Sequence, residues 1–403
     1  MKHKLKLAIL VLVAVIILGS GIYGAVRFFS ARQKHHPLIY SNSAMLYELW
    51  NAYKSANLEP GSYRTIDHSQ PGNITTSEGE SYTMLRAVWQ GDHTTFTKSL
   101  NFTLAYMQRP DHLFSWRYSQ LPNGHYGINK TNGNYNTASD GDTQIALALL
   151  MAYSRWNEVY YLQVAQPIIT NIWNKEVVQI LNKPVITADN LERYSKTTVL
   201  FDPSYCYPAA YKVFAKIDPQ HNWNALANNC YSLISKLASS KLGSSKSDGL
   251  PPNFIEINRL NGSFSVDNNP NYNTDYGYDA FRIPFNLALD YQWFHDPKDI
   301  STLRQFSYLE TLWNKHHAIN AVYKHSGAPA ANYQSPAMYG ASLGYFLLEH
   351  PNSAKQIYQQ KLLPLYSPDK QSWTNPMSYY NDNWAWFGMA LAQKALPNLT
   401  KAT

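Results

Sequence analysis

Three features are scarce in this 403-residue sequence, and each scarcity excludes a class of protein. The chain has two cysteines, Cys206 and Cys230, which is too few for a scaffold built on disulfides. Its 13 histidines form no cluster with metal-ligand spacing, so we expect neither a metal nor an organic cofactor. Beyond the N-terminal segment, no block of Lys and Arg is interleaved with aromatic residues, so we expect no nucleic-acid partner.

The two cysteines are predicted to be free, buried thiols. Neither lies in a CxxC motif or at the spacing of a metal site. A single disulfide, formed outside the cell, is the alternative. In either case the fold depends mainly on its hydrophobic core, for which 45% hydrophobic and 15% charged residues are an ordinary composition.

Aromatic residues with a polar edge are abundant, since the chain has 31 Tyr and 11 Trp against 15 Phe. Such rings offer an apolar face to a pyranose ring and a hydrogen-bond donor at the rim, which suits a sugar-binding cleft. Protein cores and interfaces use the same residues. The net charge of +7 and the pI near 9.0 favour attraction to an anionic cell envelope.

An N-terminal segment is predicted to anchor the chain in a membrane. Residues Leu7 to Val26 form an uncharged, mostly aliphatic run that is long enough to cross a hydrocarbon core of ~30 Å. Three lysines before this run favour a single-pass protein with its main part outside the cell, although three basic residues also follow it. A cleaved signal peptide, giving a secreted protein, is the alternative. The run is longer than the usual apolar region of ~7–15 residues, which favours the anchor.

The rest of the chain is predicted to be one all-α domain. Residues 1–36 then comprise a cytoplasmic stub, the membrane segment and a linker, and residues 37–403 comprise the folded domain. Apolar residues recur at helical spacing and strand-like alternation is sparse. Helices are predicted to begin near Ser43, Ser77, Phe96, Ser139, Pro208, Trp223, Phe281, Ser301, Ser335, Ser353 and Asp382. Two long polar loops, Asn123 to Thr137 and Ser239 to Thr274, are candidates for function.

Three carboxylate clusters exceed what helix capping requires. Ser77 and Glu80 have the spacing of a capping box, which leaves Glu78 unexplained. Asp140 and Asp142 lie together at the start of another helical run, where one acid would suffice. In the third cluster Arg282 follows Asp279 by three residues. That spacing allows a plain salt bridge on one helical turn, or a cation that holds Asp279 ionised for catalysis.

Five segments, taken in chain order, resemble glycoside hydrolase family 8, which contains bacterial endoglucanases, xylanases and chitosanases. They are SEGESYTMLRAVWQGDHTTF from Ser77, LFSWRY from Leu113, ASDGDTQIALALLMAYSRW from Ala138, DPSYCYPAAYKVFAKID from Asp202 and YDAFRIP from Tyr278. The resemblance implies an (α/α)6 barrel of six helical hairpins with a cleft across the helix N-termini. It also implies inverting hydrolysis. The chain departs from the family pattern at Glu80, where Gln is expected, and at Thr143-Gln144.

The resemblance also implies roles for individual residues. Glu78 matches the general acid, Asp279 the general base, and Asp140 the aspartate that holds the sugar at the point of cleavage. The other residues predicted to bind substrate are Tyr82, Trp116, Asp142, Tyr205, Tyr278, Arg282 and Tyr379. A helix N-terminus should lower the pKa of Glu78, so burial or the charge of Asp140 or Glu80 must raise it for an acid.

We therefore predict a membrane-tethered, extracellular, endo-acting glycoside hydrolase. Its substrate is predicted to be a β-1,4-linked polysaccharide, either a glucan or an exopolysaccharide made by the same cell. The alternative is a catalytically silent polysaccharide-binding protein of the same fold on the cell surface. We expect a monomer.

Overall fold

The computed structural model describes residues 43–402. The predicted anchor, Leu7 to Val26, and the predicted boundary at residue 36 lie outside this range and stay predictions. None of the helices within the described range has the length and apolarity of a membrane span.

Thirteen α-helices build the described chain: α1 Ser43–Asn57, α2 Ser77–Gln90, α3 His93–Tyr106, α4 Ser139–Trp156, α5 Val159–Glu176, α6 Pro208–Ile217, α7 Trp223–Ser239, α8 Ile283–Phe294, α9 Pro297–Leu303, α10 Ser307–His316, α11 Pro336–Glu349, α12 Pro351–Ile357 and α13 Tyr379–Ala392.

Six of these helices form a closed inner ring. Helix α2 packs on α4, α4 on α6, α6 on α8, α8 on α11, α11 on α13, and α13 on α2. Each inner helix also pairs with an outer one, namely α3, α5, α7, α9, α12 and α1 in the same order. The predicted set of six helical hairpins is therefore confirmed, with the first helix of the described chain completing the last hairpin.

Backbone contact between α11 and α13 shows how tightly the inner ring packs. A Cβ added at Gly388 would lie 2.3 Å from the carbonyl oxygen of Gly340, and one at Gly340 would lie 2.0 Å from that of Trp384. Glycine is thus required at both positions by the close approach of the two helices. Burial is nearly complete along these helices, because their neighbours cover them on every side.

The structure corrects some predicted helix boundaries. Helices α5 and α10 were not predicted as separate elements, while α3, α9, α12 and α13 begin two to four residues before the predicted starts. The predicted capping box of Ser77 and Glu80 is wrong. Thr76 is the N-cap of α2, and its hydroxyl accepts a hydrogen bond from the Gly79 N–H at 3.0 Å. The box fails because the helix begins one residue earlier than the capping pattern requires.

Short strands lie in the connections between helices. They are β1 Thr75–Thr76, β2 Arg117–Gln120, β3 Tyr126–Gly127, β4 Val177–Ile180, β5 Lys183–Ile186, β6 Thr198–Phe201, β7 Lys241–Leu242, β8 Ser245–Lys246, β9 Ile255–Asn258, β10 Phe264–Ser265, β11 Tyr366–Ser367 and β12 Ser372–Trp373. All are antiparallel, in the orders β1-β2-β3 and β10-β9-β6 and in three hairpins. These strands stiffen the loops above the barrel without forming its core.

The two cysteines are bonded to each other, so the prediction of free thiols is wrong. Cys206 follows the short 3-10 helix Pro203–Tyr205, and Cys230 lies in α7. Their Cα atoms are 5.7 Å apart, within the range that a disulfide requires. The two cysteines are separated by 24 positions in the sequence, and the segment between them folds back as a helical hairpin. The spacing of the cysteines did not indicate this return of the chain.

Candidate active site

Arg282 lies at the centre of the site, and four carboxylates surround its guanidinium. Its Nη1 donates to Glu78 Oε2 at 2.7 Å and to Asp140 Oδ2 at 3.0 Å. Its Nη2 donates to Asp279 Oδ1 at 2.9 Å and lies 3.5 Å from Asp202 Oδ2. Because four carboxylates share one buried cation, they cannot all be ionised without strong mutual repulsion.

The four acids meet because the inner helices all begin at this end of the barrel. Glu78 and Asp140 lie in the first turns of α2 and α4, and Asp279 directly precedes the 3-10 turn that leads into α8. Gly141 lets α4 approach α2, since a Cβ added there would lie 2.6 Å from Ser77 Oγ. Sequence-distant acids are thus brought onto one arginine.

Glu78 has the environment of a carboxyl group that can hold a proton near neutrality. Its side chain is 18% exposed, and Tyr379 donates a hydrogen bond to Oε1 at 2.8 Å. Burial raises its pKa to about 7, against the opposing charge of Arg282, and the charge of Asp140 raises it further. The helix N-terminus was expected to lower the pKa of Glu78. Burial is the main cause that raises the pKa instead, and of the two acids predicted to add to that rise, Asp140 rather than Glu80 does so.

Asp279 faces the same space as Glu78. The two nitrogens of a guanidinium are held ~2.3 Å apart by its planar fork, so Glu78 Oε2 and Asp279 Oδ1 are at most about 8 Å apart. The Asp279 side chain is 29% exposed, more than that of any other acid on Arg282. Burial raises its pKa and Arg282 opposes that rise. Arg282 and Asp279 do form the local salt bridge, yet Arg282 binds three further acids as well.

Asp202 and Ser204 were not predicted to belong to the site. Asp202 is fully buried and caps the 3-10 helix Pro203–Tyr205 by accepting from the Ser204 N–H at 2.7 Å. The Ser204 hydroxyl accepts from Arg282 Nη2 at 2.8 Å. Burial raises the pKa of Asp202 well above its usual range, and Asp279 adds to that rise. The Asp-Pro-Ser pattern suggests only a cap, so its place beside Arg282 had no sequence signal.

Tyrosine side chains hold the acids and the arginine in place. Tyr82 is buried, and its hydroxyl lies 3.4 Å from Arg282 Nη1 and accepts from Trp384 Nε1 at 3.2 Å. Tyr380, which was not predicted, donates to the Tyr278 carbonyl oxygen next to Asp279. Tyr82 was predicted to bind substrate, but its burial makes it a support for Arg282.

A cavity of about 450 Å³, called the cleft cavity below, adjoins the acids and is walled in part by aromatic side chains. Trp116 and Tyr205, both predicted as cleft residues, line it together with Phe254 and Tyr272. Tyr205 also lies 5.4 Å from the guanidinium of Arg282, which connects this cleft cavity to the acid centre. The other lining residues are Asn132, Gly133, Asn136, Thr137, Ala138, Ala188, Asp189, Leu200 and Asn271. Both loops singled out in the sequence thus contribute to its walls.

Asp142 was predicted to bind substrate, and the structure corrects this prediction. Its side chain is fully buried, and Oδ1 accepts from the Phe114 N–H at 2.8 Å. Burial raises the pKa of Asp142 to about 8 and that of the neighbouring Glu176 well above its usual range. Glu176 in turn accepts from the Thr137 hydroxyl in the cleft wall. The side chains of Asp142 and Glu176 therefore lie behind the wall of the cleft cavity and support it. Helix α4 directs the Asp142 side chain away from the cavity.

Glu80 also points away from the acid centre. Its oxygens accept hydrogen bonds from the Thr65 N–H at 2.6 Å and from the hydroxyls of Ser99 and Thr103. Burial raises the pKa of Glu80 to about 7. Of the two acids proposed from the sequence to act on Glu78, only Asp140 shares its guanidinium.

No group of three or more His, Cys, Asp or Glu side chains within residues 43–402 is arranged to hold a metal ion. The four acids of the site instead surround Arg282, and its guanidinium supplies the positive charge between them. The chemistry available to this arrangement is proton transfer between carboxyl groups and a bound molecule.

Comparison with known proteins agrees with this geometry. The model of the family described as glycosyl hydrolases family 8 matches residues 36–393. Endoglucanase A of Acetivibrio thermocellus is 28% identical over 265 residues, which cover 64% of this chain and 51% of that protein. The chain spans about half the length of the curated relatives it matches first.

Solved structures share the fold at low sequence identity. The endo-1,4-D-glucanase from Vibrio fischeri ES114 has a TM-score of 0.69 and 22% identity, covering 85% of this chain and 93% of that one. The β-1,3-1,4-glucanase from Paenibacillus sp. X4 has a TM-score of 0.71 and 21% identity, covering 87% and 91%. At such identity these structures establish a common architecture and leave substrate open.

Proposed function

The chain belongs to glycosyl hydrolases family 8, and from that premise we propose that it is an endo-acting hydrolase of a β-1,4-linked polysaccharide. The observation that carries the proposal is the convergence of Glu78, Asp140 and Asp279 on Arg282 beside an aromatic cleft cavity. Its relatives include proteins named endoglucanase, which favours a glucan as substrate. A glycan made by the same cell is the other source of such a chain.

In the proposed mechanism Glu78 protonates the leaving glycosidic oxygen. A general acid must be protonated at the working pH and must become a stable anion after it has given up its proton. The pKa of about 7 supports the first requirement. Hydrogen bonds from Arg282 at 2.7 Å and Tyr379 at 2.8 Å support the second, because both stabilise the carboxylate form.

Asp279 is proposed to remove a proton from the attacking water. Inverting hydrolases keep their two carboxyl groups about 6.5–9.5 Å apart so that a water molecule fits between the base and the anomeric carbon. The upper limit of about 8 Å between the oxygens of Glu78 and Asp279 is compatible with that spacing. The greater exposure of Asp279 supports access by water, and its salt bridge to Arg282 favours the ionised form that a base requires.

Asp140 is proposed to hold the sugar at the point of cleavage. It is 4% exposed and fixed between Arg282 and the Gly141 N–H, so it presents a rigid acceptor to a hydroxyl group. Trp116 and Tyr205 would stack on neighbouring sugar rings in the cleft cavity. Both features favour binding a segment within a long chain, as endo-acting cleavage requires.

We propose that the domain acts outside the cell. Disulfides persist mainly in oxidising compartments, so the Cys206–Cys230 bond favours export. The apolar run from Leu7 to Val26 supports either a membrane-tethered protein or a secreted one. Cell fractionation with an antibody to the domain would distinguish these two fates.

Product analysis tests the proposed activity and its stereochemistry together. The protein is incubated with cello-oligosaccharides, mixed-linkage β-glucan, xylan and chitosan, and the product anomer is followed by NMR. We expect cleavage of at least one of these chains with the α-anomer formed first. A β-anomer would contradict inversion, and cleavage of none would favour the silent binding protein.

Substitution separates the two proposed roles. Glu78→Gln and Asp279→Asn should each lower kcat by about 10²–10⁴-fold while leaving the fold intact, because each removes one step of proton transfer. Arg304→Gln, at an exposed ion pair with Glu349, is the matched control and should retain full activity. Full activity in either carboxylate variant would remove that residue from the mechanism.

A further inference from the structure

A second cavity, of about 340 Å³, is lined by Trp173, Asn174, Gln179, Arg193 and Arg259 together with the first two residues of β4. We name it the accessory cavity. Its volume is at the small end of the range for ligand sites. None of the residues assigned to hydrolysis lines it, so the mechanism gives it no task.

Its two arginines have no anionic partner. Arg193 donates to the Val177 carbonyl oxygen at 3.1 Å, and Arg259 donates to the Ser195 carbonyl oxygen at 2.7 Å. Among the ion pairs of residues 43–402 neither guanidinium meets a carboxylate. Each guanidinium has five N–H donors, so most of them remain available, and Arg259 Nε is buried without an acceptor. Two converging cations with spare donors favour an anionic ligand.

The nearest acids in the sequence do not neutralise these arginines. Glu192 accepts from the Leu200 N–H at 2.7 Å, and Glu256 accepts from the hydroxyls of Thr198 and Ser265. Burial raises the pKa of Glu192 to about 7, and other acids add to the rise, which agrees with the lack of a nearby compensating cation. The positive charge of the accessory cavity is therefore available to a ligand.

Trp173 gives the accessory cavity a feature that a simple anion site does not need. Its indole stacks on His221, with ring centroids 5.1 Å apart and planes 24° apart, and it meets Trp223 edge to face. The ring is thus fixed in place yet remains partly exposed at the cavity. A fixed indole beside two guanidinium groups suits a sugar ring that carries a negative charge, and the amides of Asn174 and Gln179 suit its hydroxyls.

The accessory cavity lies at the opposite end of β9 from the cleft cavity. Phe254, just before β9, lines the cleft cavity, and Arg259, just after it, lines the accessory cavity. A strand rises about 3.3 Å per residue, so Phe254 and Arg259 are roughly 16 Å apart along the strand. One glycan chain could therefore contact both.

We infer that the accessory cavity binds an anionic sugar unit, one bearing a carboxylate or a phosphate group. Arg193 and Arg259 pair with the charged group and Trp173 packs on the ring. The cleft, with four acids on one arginine, repels the same unit. Anionic units would hold the protein on a glycan while neutral segments enter the cleft.

Calorimetric titration of the full chain carrying Glu78→Gln tests this site without hydrolysis. The probes are D-glucuronate, glucose 6-phosphate, glucose and inorganic phosphate. We expect both sugar anions to bind at least tenfold more tightly than glucose, and their relative affinity distinguishes a carboxylate from a phosphate ligand. Equal binding of glucose and the sugar anions overturns the inference, as does inorganic phosphate binding as tightly as glucose 6-phosphate, since the ring would then contribute nothing.

Variants link any binding to this cavity. Arg193→Gln with Arg259→Gln should weaken binding of the sugar anions at least tenfold, while Arg304→Gln, an exposed arginine elsewhere, should not. If the double variant unfolds, Arg193→Gln alone decides, because that side chain is exposed and makes one backbone contact. Unchanged binding in the folded variant means that the two arginines only fasten loops. With Glu78 restored, cleavage of neutral glucan should be unaffected, so failure here is distinct from failure of the proposed activity.

Discussion

Arg282 in the cleft and the pair Arg193 and Arg259 in the accessory cavity carry the same chemical group, a guanidinium. Acids outnumber the guanidinium in the cleft, whereas no acid among the described residues pairs with the guanidinium groups in the accessory cavity. Arg282 is shared by four carboxylates and has hardly any exposed surface. Among the described residues, the guanidinium groups of Arg193 and Arg259 donate hydrogen bonds only to backbone carbonyl oxygens. A guanidinium with excess acid around it sets which acids are protonated, whereas one with no acid is free to bind an anion.

A third arginine shows what a purely structural pairing looks like. Arg86 is fully buried in the barrel wall, donates to Asp382 at 2.9 Å and to Asn383 at 3.1 Å, and lies over the ring of Tyr53. One acid matches one cation there, and the groups lie away from both cavities. Charge imbalance, rather than burial, therefore distinguishes the two sites from the core.

The largest effect is expected from Arg282→Met. Removing the cation leaves four acids without compensation, so we expect activity to be lost and stability to fall by about 3–5 kcal/mol at pH 8. Arg282 lowers the pKa values of Glu78, Asp140, Asp202 and Asp279. Without it these pKa values rise further, so the stability lost should be smaller at pH 5, where a larger share of the acids is protonated than at pH 8. Urea unfolding at both pH values measures this.

Arg86→Met is the control for that experiment. It removes a buried guanidinium with a single acidic partner, so it should also destabilise the protein. The pH profile of its remaining activity should match that of the unaltered protein, because Arg86 touches none of the four acids. A changed profile would mean that the two arginines act on one network.

The next largest effect is expected from breaking the disulfide. Cys206→Ser with Cys230→Ser opens a loop closed over 24 residues, which should cost about 3 kcal/mol of stability. Cys206 follows Tyr205, which lines the cleft cavity, so thermal inactivation should be detected before binding at the accessory cavity is lost. Parallel scans of activity and glucuronate binding would reveal this order, and simultaneous loss would contradict it.

A smaller effect is expected on the pH profile of Asp140→Asn. Asp140 raises the pKa of Glu78, so its neutralisation should move the basic limb of kcat/KM to lower pH, besides lowering the rate. Glu80→Gln removes an acid two residues from Glu78 that points the other way, and should leave the limb in place. Equal movement in both variants would indicate a general charge effect.

The smallest effect is expected from Arg193→Gln alone. This exposed side chain makes one hydrogen bond, to the Val177 carbonyl oxygen, so stability should change by no more than about 0.5 kcal/mol. Activity on neutral glucan should be unchanged. A large loss of stability would show that Arg193 fastens the fold and would weaken the contrast with Arg282.

The sequence was most informative where acids exceeded their structural need. Glu78 and one acid of the pair Asp140 and Asp142 stood out because capping left them unexplained. The family resemblance then assigned roles to Glu78, Asp140 and Asp279, and the structure brings all three to Arg282. Asp202 was missed because it does cap a short helix, so it had a sufficient local explanation. When a residue has both a local and a long-range role, the sequence around it indicates only the local role.

Helical spacing and family resemblance predicted the barrel, but not what lies between its helices. The disulfide was mispredicted because two cysteines 24 residues apart meet only after a hairpin folds back. Asp142 was mispredicted because neighbouring positions on a helix point in different directions, and only packing decides which one faces the cleft. The first error concerns the path of the chain and the second the direction of a side chain, and linear spacing encodes neither.

The pairing of α1 with α13 has a consequence for how the molecule is made. The first helix of the described chain packs against the last long one, more than 300 residues later. A chain that emerges N-terminus first keeps the inner face of α1 uncovered until α13 has been made. Tyr379, which donates a hydrogen bond to Glu78, is synthesised as the first residue of α13. The inner ring and the Glu78–Tyr379 hydrogen bond can therefore form only after more than 300 residues beyond α1 have been synthesised.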